Sequence, residues 1–334
     1  MKISLDSGIT VKNHDYKLIL DPSRKVKDSE NTFVGISHAH SDHTRRHNAQ
    51  VISTAQTADL FPYNDSITLP YGKNFKIDGM TVRQHNANHI LGSSQFEINS
   101  DEKNIVYTGD FRLNKSSLFE ECGIPECDSL IIESTYGMPH FKFPTLDEIK
   151  SEMESWIKEN SKQGKNIVFG SYSLGKSQES INILNDFGIV PVVHPKIAFY
   201  SEIYNKHGHK LKFVEAGTEQ GNKMLSDRFV SVMPQNLIDF DYLSAMNSVT
   251  SRKTTAALLT GWGMLYNFKS RGIDKVFPMS DHADFYQILD YVEKSGAKEV
   301  FTVHGYDKEL AVHLERRLKV KARPLKQKGI AKWL

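Results

Sequence analysis

The spacing of apolar and polar positions changes character along the chain. Over roughly the first 135 residues they form short apolar or alternating runs at 17–20, 33–37, 80–83, 95–98, 104–107 and 130–132. Runs of this length and period predict strands. Several end in Asp, His or Glu, where a loop would begin. From Pro144 the period lengthens. Thr145-Leu146-Asp147-Glu148 opens an amphipathic stretch to about Ser161, and Thr145 with Glu148 fits a capping box. A strand at 166–169 precedes a helix from about Lys176, and a strand at 189–193 precedes a helix from about Lys196. The end of the chain reads as one more such unit: strand 275–279, helix 284–294, strand 299–303, helix 307–318. Alternation of this kind predicts α/β architecture with a parallel sheet and crossover helices. The residues with obvious chemistry lie in the first third and the tail, so the middle reads as an insertion into a domain built from both ends.

Composition narrows the class. A chain of 334 residues corresponds to about two domains. Two cysteines, Cys122 and Cys127, exclude a disulfide framework and suit a reducing compartment. No apolar run approaches the roughly 18 residues of a membrane helix, and the N-terminal residues show no signal-peptide pattern. The expectation is a soluble, cytoplasmic protein with no membrane partner. The formal net charge of +2 excludes a passive, strongly basic nucleic-acid coat. From Glu315 to Leu334, however, eight basic residues accompany one acid. That segment reads as a solvated helix and strand, with a phosphate-contacting patch as the alternative.

Histidine spacing carries the chemistry. In Ser37-His38-Ala39-His40-Ser41-Asp42-His43 four ligand-type residues fall within six positions, directly after an apolar strand. His38 and His40 lie two apart and face one side of an extended segment. Imidazole and carboxylate suit zinc and its neighbours. Further ligand-type residues stand at strand ends: His89 in Asn88-His89-Ile90, Asp110 in Thr108-Gly109-Asp110, and His304 in Val303-His304-Gly305. His14, His47, His140, His207, His209 and His313 read as surface or satisfied residues. His85 and His194 are less distinct but lean the same way.

His38 to His43, Asn88 to Ser93, Tyr107 to Phe111 and Val303 to Gly305, in that order, resemble the metallo-β-lactamase fold. More narrowly, the chain resembles its nucleic-acid-processing branch, the β-CASP nucleases. Glu133-Ser134-Thr135-Tyr136-Gly137 is similar to that branch's first acidic motif. Ser280-Asp281-His282-Ala283-Asp284 is similar to its histidine motif, His304 to its third motif, and Asp21 to the fold's early structural aspartate. The resemblance spans residues 17 to 305. The segments at 18–24, 170–178, 258–264 and 280–285 look most like ligase-associated DNA exonucleases. Cross-link repair nucleases usually carry valine in place of His304. The messenger-RNA 3′-end endonucleases are generally longer. Asn88 departs from the family, which commonly has glycine there.

The resemblance implies an αβ/βα metallo-β-lactamase sandwich over residues 1–138 and 265–334, with an inserted α/β β-CASP domain over 139–264. It implies that His38, His40 and His89 hold one divalent metal, that Asp42, His43 and His304 hold a second, and that Asp110 bridges them. Zinc is favoured by the ligands, with manganese as the alternative. Asp42, Glu133 and His282 become the catalytic candidates, Glu133 orienting His282 as an acid for the leaving oxygen. The activity implied is a two-metal phosphodiesterase on single-stranded nucleic acid, foremost a DNA exonuclease in repair, with a DNA ligase or helicase as partner. The alternatives are an RNA nuclease in 3′-end processing or decay, a hydrolase of small esters, and a non-catalytic nucleic-acid-binding subunit.

Other motifs need sorting. Residues 170–177 match the G-x-x-x-x-G-K-S pattern of a P-loop. The segment also looks like a turn common in β-CASP domains, and no strand nearby ends in a convincing magnesium-binding aspartate. Ser171, Ser173 and Lys176 are therefore expected to hold a backbone phosphate of the substrate. Cys122 and Cys127 read as ordinary thiols. Thr260-Gly261-Trp262-Gly263 reads as the hinge where the insertion rejoins the core. Trp262 and Tyr136 are candidates for either base stacking or core packing.

Overall fold

The computed structural model describes residues 1–63 and 66–326; the last part of the basic segment at 315–334 lies outside them. The fold is mixed α/β and divides into two compact units. The first comprises Met1–Leu113, Glu120–Lys142 and the described chain from His282 onward; the second comprises Asn114–Phe119 and Phe143–Asp281.

The first unit holds two sheets. One runs in chain order through Lys2–Leu5, Ile9–Asn13, Tyr16–Leu20, Thr32–Gly35, Gln50–Ser53 and Ser66–Thr68, antiparallel to Tyr16–Leu20 and parallel afterwards. The other is ordered Lys321–Pro324, Glu299–Val303, Ser129–Glu133, Asn104–Tyr107, Ser94–Asn99, Met80–Asn86 and Asn74–Ile77. Its first four strands are parallel and the rest antiparallel.

Alternation along each strand decides what each face meets. Ile105, Tyr107 and Ile131 point into a core shared with Leu18, Leu20, Ile52 and Phe96 of both sheets. Val106, Leu130 and Ile132 point the other way, onto Phe285, Ile288 and Tyr291 of helix Phe285–Ser295 and Leu310 and Leu314 of helix Asp307–Leu318. Gly35 is closely packed by side chains of the shared core. A Cβ there would stand 2.6 Å from the Leu20 side chain and 2.9 Å from the Phe96 ring.

The second unit is a six-stranded, all-parallel sheet ordered Val214–Glu215, Val192–Val193, Val230–Pro234, Asn166–Ser171, Thr254–Leu259 and Lys275–Phe277. Its helices include Leu146–Lys162, Lys176–Asp186, Pro195–Lys206 and Phe240–Thr250. The first of these carries the expected capping box: Thr145 caps Glu148 while Glu148 bonds back to Thr145.

Three organisational expectations change. Strand Lys275–Phe277 and strand Glu299–Val303 do not form one β-α-β unit; they lie in different sheets. Apolar pattern identifies a strand but does not choose its neighbour. The expected second junction at 264/265 therefore falls inside the second unit, because Lys275–Phe277 hydrogen-bonds to Thr254–Leu259; the units divide instead at 281/282, and the first junction lies at 142/143 rather than 138/139. Accordingly Thr260–Gly263 is not where the units rejoin. Gly261–Met264 is a short 3₁₀ turn within the second unit, and Gly263 fits against Val276, whose side chain a Cβ would meet at 2.3 Å.

Candidate metal centre

The candidate ligands leave strand ends in both sheets of the first unit. His38, His40, Asp42 and His43 follow strand Thr32–Gly35, and His89 follows Met80–Asn86. Asp110 follows Asn104–Tyr107, Glu133 ends Ser129–Glu133, and His304 follows Glu299–Val303. Two backbone features make these turns tight. Asn88 has φ of 55°, a left-handed conformation that glycine and asparagine both tolerate. That accounts physically for asparagine where glycine is common. Gly305 also has positive φ, and a Cβ on it would lie 2.3 Å from the Ser134 carbonyl oxygen. Ser134 Oγ in turn donates to the Val303 carbonyl at 2.9 Å and also bonds the His304 carbonyl.

Donor atoms of His38, His40, His89 and Asp110 all lie within 4.8 Å of one another. Asp110 Oδ2 is the focus. It stands 3.5 Å from His38 Nε2, 3.5 Å from His43 Nε2, 3.8 Å from His89 Nε2 and 4.0 Å from His282 Nδ1. His89 Nε2 lies 3.1 Å from His40 Nδ1.

The neighbouring hydrogen bonds set the tautomers. Ser37 Oγ donates its one hydrogen to Asp21 Oδ2 at 2.5 Å. It can therefore only accept from His38 Nδ1, 2.9 Å away. His38 Nε2 then presents a lone pair to the cluster, and among the described residues this buried atom has no hydrogen-bond partner. Asp21 Oδ2 also accepts from His43 Nδ1 and from Tyr107 Oη, each at 2.9 Å, so His43 too aims Nε2 at Asp110.

Charge follows the same geometry. Burial and the surrounding imidazoles hold His38 well below its usual pKa, so it stays neutral. For His43, burial opposes the proton, but the carboxylates of Asp110 and Asp21 outweigh it and raise the pKa to about 10. Burial likewise works against the Asp110 carboxylate, yet the imidazoles of His43, His282 and His89 keep it ionised, far below the usual range. A neutral, buried nitrogen donor beside a forced carboxylate is the donor set that suits a cation such as zinc.

Two expected ligands are more open. The Asp42 carboxylate is exposed, with Oδ2 3.8 Å from His43 Nε2. His304 is exposed as well, and its ring centroid lies 5.6 Å from that of His43. Both line a 230 Å³ cavity with Asp21, His43 and Tyr107. Beside the cluster, Glu133 is fully buried. It accepts from the Phe111 amide at 2.9 Å and holds His282 Nδ1 at 3.0 and 3.1 Å.

The expected phosphate loop is otherwise engaged. Lys176 is buried and forms an ion pair with the buried carboxylate of Asp281. Ser171 is fully buried and bonds Ser177 Oγ at 2.8 Å, and the Ser173 carbonyl accepts from Gln178. The polar atoms of Ser171 and Lys176, expected to meet a phosphate, have partners within the second unit. Tyr136 is core, packed edge-on against Phe141. His85 pairs with Glu97 at 2.7 Å and His194 caps helix Pro195–Lys206, both structural uses. Cys122 and Cys127 are free thiols whose pKa values burial pushes up to about 12. Sequence reasoning missed Ser37 and Tyr107, which orient the ligands; only the position of Ser37 beside the histidine cluster could have signalled it. Among the described residues no helix is long and apolar enough to cross a membrane.

No family model matches the chain. A probable DNA ligase from Opitutus terrae is 30% identical over 299 residues, which are 84% of this chain and 28% of that protein. An RNase J-like protein from Methanocaldococcus jannaschii is 29% identical over 191 residues, 49% of this chain and 45% of that protein. The chain thus spans less than half the length of these relatives. In motif order and in sequence the chain is similar to the metallo-β-lactamase-fold β-CASP family. A crystal structure of a protein of unknown function from Enterococcus faecalis V583 shares the fold over 98% of this chain and 97% of its own, with a TM-score of 0.69 and 16% identity.

Proposed function

We propose that this chain is a metal-dependent phosphodiesterase acting on single-stranded nucleic acid, with RNA as the better-supported substrate. The observation that carries the reading is the convergence of His38, His43 and His89 on Asp110 Oδ2, with His38 Nε2 buried and without a hydrogen-bond partner among the described residues. In this reading the first unit is the αβ/βα sandwich and the second the β-CASP insert. His38, His40 and His89 would hold one metal, Asp42, His43 and His304 the other, and Asp110 both. Bound there, two divalent cations, zinc or manganese, would supply Lewis acidity and an activated water.

The chain's own groups supply the rest. Asp21 fixes His43, and Ser37 fixes His38, each through Nδ1. Glu133 holds His282 by Nδ1, and the other ring nitrogen is the one that would give a proton to the departing sugar oxygen. The buried Phe111 amide keeps the Glu133 carboxylate in place for that purpose.

The name of the RNase J-like relative supports RNA. The expected first choice, a DNA exonuclease in repair, becomes the second reading. One specific observation favours it: the similarity to the probable DNA ligase extends over most of this chain. The same similarity supports a ligase as partner. The deciding experiment follows cleavage of 5′-labelled single-stranded RNA and DNA of one sequence, with zinc and with manganese. The Asp42→Asn/His43→Ala variant serves as control. Faster loss of RNA is expected; faster loss of DNA would reverse the order of the readings. Failure to cut either strand with either metal would overturn the phosphodiesterase reading.

A further inference from the structure

A second feature lies wholly within the second unit. A cavity of 470 Å³ is lined by Phe240, Leu243, Asn247, Lys253, Thr254 and Lys269, with Gly272 and Asp274 at its margin. Helix Phe240–Thr250 supplies one wall, and the start of strand Thr254–Leu259 supplies the floor.

Three observations go beyond the shape. Phe240 is 59% exposed, so one face of its ring is open to a ligand. The ring is nonetheless seated: Gly272 has φ of 78°, and a Cβ there would come within 3.1 Å of the ring. Thr254 is 5% exposed, and its buried hydroxyl has no hydrogen-bond partner among the described residues. Buried hydroxyls are ordinarily satisfied, so this one calls for a polar atom from a ligand or from water. Finally, Lys253 and Lys269 are both exposed, and no carboxylate lies within ion-pair distance of either among the described residues. Asp274 is the one acid on the lining, and its Oδ2 is taken by Thr255 Oγ1 at 2.6 Å.

An exposed aromatic face, two uncommitted cations and an unsatisfied hydroxyl around a cavity of nucleotide size match the chemistry of one nucleotide. We propose that this cavity binds a single nucleotide unit: the base against Phe240, its edge to Thr254 and Asn247, and the phosphate to Lys253 and Lys269. The Asn247 Oδ1 atom already accepts from the Thr254 amide at 2.6 Å, so its amide hydrogens are the atoms that would read the base. The unit could belong to a bound strand or be a free nucleoside monophosphate; the recognised chemistry is the same. The strand version rests on the nucleic-acid reading above, whereas the monophosphate version does not need the metal centre.

The experiment separates these sources and keeps the two proposals independent. Binding of adenosine 5′-monophosphate and of a 12-nucleotide single strand is titrated in EDTA, so that no cleavage occurs. The full-length chain is compared with Phe240→Ala and Lys253→Glu/Lys269→Glu. Base stacking predicts about ten-fold weaker binding for Phe240→Ala. With the strand, the double lysine variant should reduce the slope of log affinity against log salt by about 1.4. Weakening of both ligands assigns a general nucleotide site, and weakening of the strand alone assigns a strand contact. Far-ultraviolet circular dichroism checks that each variant is folded. Hydrolysis of bis(p-nitrophenyl) phosphate, a small diester that does not extend beyond the metal centre, should be unchanged in all variants. Equal affinity of wild type and folded variants for both ligands would overturn the proposal, whether or not the chain cleaves nucleic acid. Normal nucleotide binding in a chain that cleaves nothing would leave it standing while removing the phosphodiesterase reading.

Discussion

Asp21 offers the sharpest test of how the centre is held. Its Oδ1 accepts from the Ser37 amide at 2.8 Å, and its Oδ2 accepts from Ser37 Oγ, His43 Nδ1 and Tyr107 Oη. Asp21→Asn is nearly isosteric. The amide can keep the Ser37 N–H bond through its oxygen, but it then sets an NH₂ against three donors. A hydrogen bond to a charged group contributes about 1.5–3 kcal/mol. The Ser37 hydroxyl can rotate and recover part of the loss, which leaves a net cost of about 3–5 kcal/mol. For a unit of this size, about 2–4 °C accompanies each kcal/mol. The melting temperature in EDTA should therefore fall by roughly 6–20 °C. The pH dependence gives a second, independent readout. In the metal-free protein the His43 pKa is raised to about 10. Its contribution to stability is complete below about pH 6.5 and is lost as pH rises through about 10. Asp21 supplies part of that shift, so the gap between wild type and variant should be wider at pH 6 than at pH 9.5. Metal content, measured by mass spectrometry after dialysis against zinc, should also fall, because His43 loses its fixed orientation. A melting temperature within about 2 °C of wild type, with a gap independent of pH, would refute the argument that Asp21 anchors His43.

Glu133→Gln keeps the Phe111 amide bond but removes the charge facing His282; cleavage should slow by about 10²–10⁴-fold with metal content unchanged, and parallel loss of metal would assign Glu133 to the ligand shell instead. Lys176→Met leaves the buried Asp281 carboxylate without its cation and should cost about 3–5 kcal/mol in urea unfolding, most of it restored in Lys176→Met/Asp281→Leu; additive losses in that cycle would contradict a direct pair. Although burial opposes it, hydrogen bonds from Asn99 and His85 hold the Glu97 pKa below its usual value, so its stabilisation is present above about pH 4.3 and drains as pH falls further; Glu97→Gln should flatten that acid limb in circular dichroism melts. Burial raises both thiols to about pKa 12, so Cys122 and Cys127 should react with maleimide at pH 7.5 far more slowly in the folded chain than in urea, as read by intact mass.

What the sequence disclosed depends on whether a residue's role is local. Helix Leu146–Lys162 was legible because Thr145 and Glu148 cap each other three residues apart. Strands Asn104–Tyr107 and Ser129–Glu133 were legible because both faces are buried around the apolar runs at 105–107 and 130–132. Strand Thr254–Leu259, with the sequence TTAALL, has the apolar run but not the β-branched density that separates a buried strand from a helix. Strand Lys321–Pro324 lies at a sheet edge and is half charged, so its pattern is that of a solvated segment.

The same distinction runs through the candidate centre. Ligand-type residues announce themselves because a strand end offers few reasons to place His or Asp after an apolar run. The groups that orient them do not. Tyr107 acts on Asp21 across 86 positions of sequence, from one sheet to the other, and nothing near either residue specifies that contact. Lys176 shows the converse. A lysine after glycine before a helix has the local form of a phosphate ligand, and only its pairing with Asp281, 105 positions away, shows that its charge is already spent. A motif specifies the conformation of its loop; whether its charge is available for a ligand is decided by what the rest of the fold packs against it.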